Sequence, residues 1–266
     1  MAFGCPSSPS RSQSGVFCTP AFFHHEGQGV FDLSRTGSAF LFRYRGRNIA
    51  LLTRHQLGEG LGAVRPEQFT VTLIEPAGVK VGLSPNAVTK VRMQNLEHSN
   101  LDDVLLLEYD NVRGTRNLRG LFLDLDLAHT LETVAPESVQ AIFSVGYPTA
   151  HGDVDFEIDD EGNATDMNME LRWVKLYLTP DKPGPLDPEN RRPMVQDPRA
   201  DQETIDPDGM SGAPVFFISL DASSQAHLGF AGMITHARDR RYMIYDGSHL
   251  SRVVDSYIDE EKTQLA

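Results

Sequence analysis

Cysteine is nearly missing from this sequence: Cys5 and Cys18 are the only two in 266 residues, and both fall in the N-terminal arm. No disulfide can therefore brace the body of the fold. Secreted domains built from short strands usually carry several bridges, so their lack points to a reducing compartment, the cytoplasm. It also argues against a cysteine nucleophile. Long apolar runs are missing as well: none reaches the length that crosses a bilayer. The opening Met1-Ala2-Phe3-Gly4-Cys5-Pro6 has neither the basic stretch nor the hydrophobic segment of a secretory signal. A membrane partner is not expected.

Basic residues are the third shortage. The chain holds 24 Lys and Arg against 37 Asp and Glu, a net charge of −13. Residues 153 to 208 alone contain 16 acids and 6 bases. A field of that sign repels phosphate backbones, which excludes nucleic acid as a natural partner and suits basic or polar chains better. Solvated loop faces explain these acids more simply than substrate steering does.

What the sequence has instead is turns: 22 Gly and 16 Pro within a 40% hydrophobic composition. Short strands separated by turns, not helices, are the expectation. Residues 1 to 30 read as a loose arm with short edge strands at Val16-Phe17 and Ala21-Phe22-Phe23. His24-His25-Glu26 does not read as a metal site, because neighbouring histidines in a strand point to opposite faces and no further ligand is suitably spaced. No metal or other cofactor is expected anywhere in the chain.

From Gly37 the period is two. Phe40, Phe42 and Tyr44 alternate with Leu41, Arg43 and Arg45, and Ile49-Ala50-Leu51-Leu52 returns as a buried strand after the Arg45-Gly46-Arg47-Asn48 turn. Further strands are expected near 68 to 74, 87 to 94 and 103 to 109. Residues 110 to 137 read as a crossing. Beyond it, strands are predicted at 141 to 147, 170 to 178, 213 to 219, 228 to 236 and 242 to 244. Even spacing of this kind suggests closed barrels. The proline-rich stretch from Pro180 to Asp208 reads as one long loop. Leu250, Val253, Val254, Tyr257 and Ile258 then fall at helical spacing, with Ser248 placed to cap the first turn.

The chemistry centres on Gly209-Met210-Ser211-Gly212-Ala213-Pro214. A serine between two glycines can sit on a tight turn with its hydroxyl exposed and backbone N–H groups free to face a ligand. An α/β-hydrolase elbow is excluded, since Ala213 stands where a glycine is required and too little chain follows for the rest of such a sheet. The order histidine, aspartate, serine remains. His55 ends a hydrophobic strand, where a neutral imidazole can take the serine proton. Asp103 opens the apolar run Val104-Leu105-Leu106-Leu107 and can hold one imidazole tautomer. Its competitor Asp102 reads as a solvated neighbour.

Three ordered segments carry a resemblance: Asn48-Ile49-Ala50-Leu51-Leu52-Thr53-Arg54-His55, Asp103-Val104-Leu105-Leu106-Leu107-Glu108, and Gly209-Met210-Ser211-Gly212-Ala213-Pro214-Val215-Phe216. Together they resemble the chymotrypsin-like (trypsin-like) serine peptidases, in particular the disulfide-free bacterial intracellular members. The resemblance implies an all-β fold of two perpendicular six-stranded barrels, here 31 to 125 and 126 to 246, with residues 247 to 266 as a C-terminal helix. It implies hydrolysis of peptide bonds in a protein or peptide substrate through a Ser211, His55 and Asp103 triad. The backbone N–H groups of Gly209 and Ser211 would form the oxyanion hole. Thr235, His236 and Ala237 would bind substrate backbone as an added strand, with Ala237 leaving room for a side chain.

The sequence also departs from that family. Thr53 lies only two residues before His55. Ile205, with Asp206 beside it, stands where members that cleave after basic residues carry an acid. Met210 replaces the aspartate that pairs with a newly cut N-terminus, and no Ile-Val-Gly-Gly start exists, so N-terminal trimming is not the expected switch. The 180 to 208 stretch is the expected gate. A peptide-binding pseudopeptidase on the same scaffold, or an esterase or single-event autoprocessing enzyme, remains the alternative.

Overall fold

The computed structural model describes residues 17–25, 33–57, 65–74, 80–90, 103–113, 116–118, 121–125, 127, 129–185, 187, 191–238 and 240–264. Cys5, Glu26, Asp102 and residues 91–94 of one expected strand lie outside them. Among the described residues the architecture is all-β with a single α-helix, as the sequence suggests.

The first half contains β1 (Cys18–His24), β2 (Leu33–Tyr44), β3 (Arg47–Thr53), β4 (Phe69–Ile74), β5 (Lys80–Leu83), β6 (Ala87–Lys90) and β7 (Val104–Tyr109). They form a curled half-barrel sheet in the order β5-β4-β1-β2-β3-β7-β6. The crossing carries three two-residue strands: β8 (Val112–Arg113), β9 (Arg116–Asn117) and β10 (Leu123–Asp124), the last pairing parallel to β2. The second half contains β11 (Val139–Gly146), β12 (Gly152–Ile158), β13 (Ala164–Leu171), β14 (Val174–Pro180), β15 (Arg191–Gln196), β16 (Pro214–Leu220), β17 (Ala226–Arg238) and β18 (Arg241–Asp246). Six of these close a barrel in the order β11-β14-β15-β18-β17-β16, while β12 and β13 form a separate hairpin.

Four differences from the sequence reading have physical causes. β1 is no edge strand but lies between β4 and β2, and every residue from Cys18 to Phe23 is buried. The long loop expected from 180 to 208 contains β15, which closes the barrel between β14 and β18 despite Pro193. The Pro193 carbonyl still accepts from the Asp181 amide at 3.0 Å. The acid-rich stretch read as loop contains the β12 and β13 hairpin, whose eight acids and no bases in residues 152 to 171 mask its period. Finally, the helix cap is Asp246 and not Ser248: the Ser248 amide and hydroxyl both donate to Asp246 Oδ1 at 3.0 Å.

Alternation along β2 shows how the halves join. Ala39 and Leu41 enter the core of the first half with Phe23, Phe69 and Leu105, whereas Phe40 and Phe42 face the second half. Both faces are therefore buried, not one. Phe40 meets Phe216 edge-on at 5.5 Å and stacks on Phe230 at 5.2 Å. The α1 helix (Gly247–Gln264) adds Leu250, Val253, Val254 and Ile258 to the same shared core. Its polar side bonds back to the first half through Tyr44 and Arg45 to Asp255 and through Tyr257 to Glu108. The helix thus straps one half to the other. It is not long and apolar enough to cross a membrane.

Candidate active site

Strand register places His55 and Asp103. β3 and β7 pair with Thr53 opposite Val104. The chain leaves β3 into a single 3-10 turn, Arg54–Leu57, which lifts His55 over the start of β7 where Asp103 sits. Asp103 then holds the histidine twice: Oδ1 accepts from the His55 backbone N–H at 2.8 Å, and Oδ2 pairs with His55 Nδ1 at 2.8 Å. This fixes the tautomer that leaves a lone pair on Nε2. The short interval after Thr53, which put the local turn in question, is accommodated by this 3-10 geometry.

Ser211 comes from the other half. Its hydroxyl lies 3.2 Å from His55 Nε2 and 3.2 Å from the Thr235 carbonyl oxygen. Glycine is required on both sides of the turn. Gly209 has φ +85° and a Cβ there would lie 2.7 Å from Tyr147 O; Gly212 has φ +83° and a Cβ would collide with Ser38 O. Between them Met210 is fully buried in the barrel core with Ile205 and Ala213. Apolar packing, in place of an ion pair, seats this residue.

The turn also leaves donors available. The Asp208 carbonyl accepts from Thr149 N at 2.7 Å and the Met210 carbonyl from Ala213 N at 2.9 Å. Across a planar trans peptide the Gly209 and Ser211 N–H groups must point away from those partners. Neither amide has an acceptor among the described residues. Two unengaged amides beside a hydroxyl can stabilise an oxyanion.

With this geometry in hand, comparison with known proteins adds no relative: no family model matches the chain, and no curated protein matches it. The reading of the site rests on its own chemistry.

The residues expected to bind substrate are partly brought together. β17 pairs with β16 only as far as Met233; Thr235 falls at a register shift, and His236 and Ala237 pair with β18 and with no other strand among the described residues. Thr235 offers main chain only, since its side chain is buried and donates to the Met243 carbonyl at 3.0 Å. Ile205, Asp206 and Ala237 share a pocket of about 510 Å³ with Arg238 and Arg240. Ile205 itself is mainly a core residue, 6% exposed, and Asp206 and Asp208 are exposed acids of that wall.

Three functional neighbours carried no signal in the sequence. Ser38 is fully buried and ties three segments: its N–H donates to Ser211 O at 3.1 Å, its hydroxyl donates to Gly209 O at 2.9 Å, and the same hydroxyl accepts from Tyr147 N at 3.0 Å. Gln56, next to the base, donates through Nε2 to the Ser211 carbonyl. Arg191 reaches the site from β15 and donates to Thr235 Oγ1 and, at 2.7 Å, to His236 Nδ1. An isolated serine inside a strand and an arginine in a proline-rich stretch look ordinary in a sequence.

His236 stacks on His55 with ring centroids 4.9 Å apart and planes 29° from parallel. Burial, the Arg191 cation and His55 lower its pKa, against an opposing contribution from Asp103. His55, Asp103 and His236 offer possible metal ligand atoms within 4.8 Å of one another. Two features oppose such use. Arg191 already occupies His236 Nδ1, and nearly parallel rings aim their in-plane lone pairs side by side, not at one point. Elsewhere, His24 and His25 are engaged by the hydroxyls of Thr70 at 3.0 Å and Ser34 at 2.8 Å. Burial pushes the Cys18 thiol well up from its ordinary pKa, which suits an inert core residue.

Proposed function

We propose that this chain is a serine endopeptidase of the chymotrypsin-like type. One observation carries the reading: the unbroken run from Asp103 through His55 to Ser211, at 2.8 and 3.2 Å, beside two unengaged amides. Ser211 Oγ would attack a peptide carbonyl while His55 Nε2 takes its proton, and the carbonyl oxygen would become an anion held by the Gly209 and Ser211 N–H groups. Collapse would expel the amine, which takes the proton back from His55 and leaves an acyl group on Ser211. Water, deprotonated by the same imidazole, would release the acid and restore the hydroxyl. Asp103 would balance the imidazolium in both halves of the cycle. Substrate would lie along Thr235 to Ala237, on the side away from β18, with one side chain in the pocket bordered by Asp206 and Ala237.

The Ser211 hydroxyl also favours a second reading. It has one proton and two acceptors at 3.2 Å, His55 Nε2 and the Thr235 carbonyl. A proton held by Thr235 leaves the base idle, as in a pseudopeptidase that grips peptides without cutting them. A fluorophosphonate probe separates the two: labelling of wild type and not of Ser211→Ala supports the peptidase. Equal labelling of both, or none of either together with peptide binding, favours the binding module. Digestion of a proteome-derived peptide library by the two proteins would then give the side-chain preference.

A further inference from the structure

We propose that Arg191 is a positioning residue that keeps His236 unprotonated against His55, so that the proton leaving Ser211 has a single destination. The inference rests on the reading of His55 as the base. A guanidinium has donors and no acceptor, so the 2.7 Å contact from Arg191 Nη1 requires a lone pair on His236 Nδ1. The imidazole is therefore neutral, with its proton on Nε2. Protonating it would turn an N–H toward an N–H and add a positive charge to a ring stacked 4.9 Å from His55.

The surroundings give the direction of the effect. His236 faces Arg191 from β15, His55 from the 3-10 turn and Asp103 from the start of β7. Two of the three disfavour its protonation, and Asp103, already held by two bonds from His55, opposes them only in part. Arg191 is well seated for this role. It bonds Thr235, lies with its guanidinium carbon 6.0 Å from the Tyr245 ring centroid, and feels the Asp103 carboxylate. A second imidazole beside a catalytic one would ordinarily compete for the same proton. The fixed cation removes the competitor.

Without the positive charge, protonated His236 becomes easier to reach, and its titration moves to higher pH. An imidazole that accepts protons more readily then competes with His55 for the proton leaving Ser211, and kcat/KM falls on the acid side.

The test is an imidazole C–H NMR titration of the full chain as wild type, Arg191→Gln and Arg191→Lys, alongside kcat/KM against pH on a peptide substrate. In wild type, His236 should titrate below the ordinary imidazole range. Arg191→Gln keeps a donor without the charge, and should raise the His236 titration and lower kcat/KM on the acid side. Arg191→Lys should hold both near wild type. An unmoved His236 titration in Arg191→Gln, or equal shifts in both variants, would overturn the proposal. Should Arg191→Gln fail to fold, a wild-type His236 that titrates at or above the ordinary range overturns it alone. Because the spectrum reads protons without turnover, the expected shifts in a chain that cuts nothing would sink the peptidase reading and leave the assignment to Arg191 standing.

Discussion

The two halves prepare their parts of the site by different means. In the first, one pairing register sets His55 beside Asp103, and the two hydrogen bonds between them, both 2.8 Å, join residues just beyond the paired ends of β3 and β7. In the second, Ser211 sits on a turn held by two left-handed glycines and by bonds that reach across to Ser38 and Gln56. His55 and Asp103 are therefore assembled locally, while the 3.2 Å between His55 and Ser211 is a property of how the halves dock. Damage to a sheet should disturb the first relation, and damage to the shared core the second.

The strongest break is chemical. Under the proposed activity, Ser211→Ala should lower turnover by about 10⁴ or more with the fold intact, which rapid-quench kinetics and circular dichroism would check together. Next comes the strap. Leu250→Ala removes a fully buried side chain from the core shared by both halves and should cost about 2 to 5 kcal/mol, read by urea denaturation. A variant whose activity fell ahead of its unfolding would show that docking, and not local structure, is what fails first. Ser38→Ala is expected to be milder, about 1 to 3 kcal/mol, because it strips partners from Gly209 O and Tyr147 N. Its mark should be a lower kcat with KM little changed, since the Gly209 turn carries an oxyanion donor.

The smallest effect concerns pH. His236 has a lowered pKa, so the unfolded chain binds a proton there more readily than the folded one. That contribution to stability is present above the ordinary histidine range and is lost as pH falls through the lowered value. Thermal melts between about pH 7 and 5 should show a modest decline that His236→Phe reduces.

Legibility in the sequence followed this same division. Strands with clean alternation and a buried run, such as Ile49 to Leu52 and Val104 to Leu107, announce themselves, and so do His55 after the first, Asp103 before the second and Ser211 in its glycine-flanked turn. β15 does not, because barrel closure supplies its pairing while its own residues are arginines, a proline and a methionine. Ser38 and Arg191 stay invisible for a related reason. What they do depends on partners 109 to 173 positions away for Ser38 and 44 to 45 for Arg191, and no local pattern records such distances. The helix period was readable, whereas its cap fell two residues earlier than expected because a carboxylate at the end of β18 outcompetes the serine hydroxyl.

The strap also bears on timing. A growing chain emerges from the ribosome with His55 and Asp103 first and Ser211 far behind, and the helix residues that clamp the two halves follow later still. Until Leu250 to Ile258 have left the exit tunnel, Ser211 has no firm address opposite His55. Under the proposed activity, a partly synthesised molecule would be harmless to its neighbours until that helix had docked.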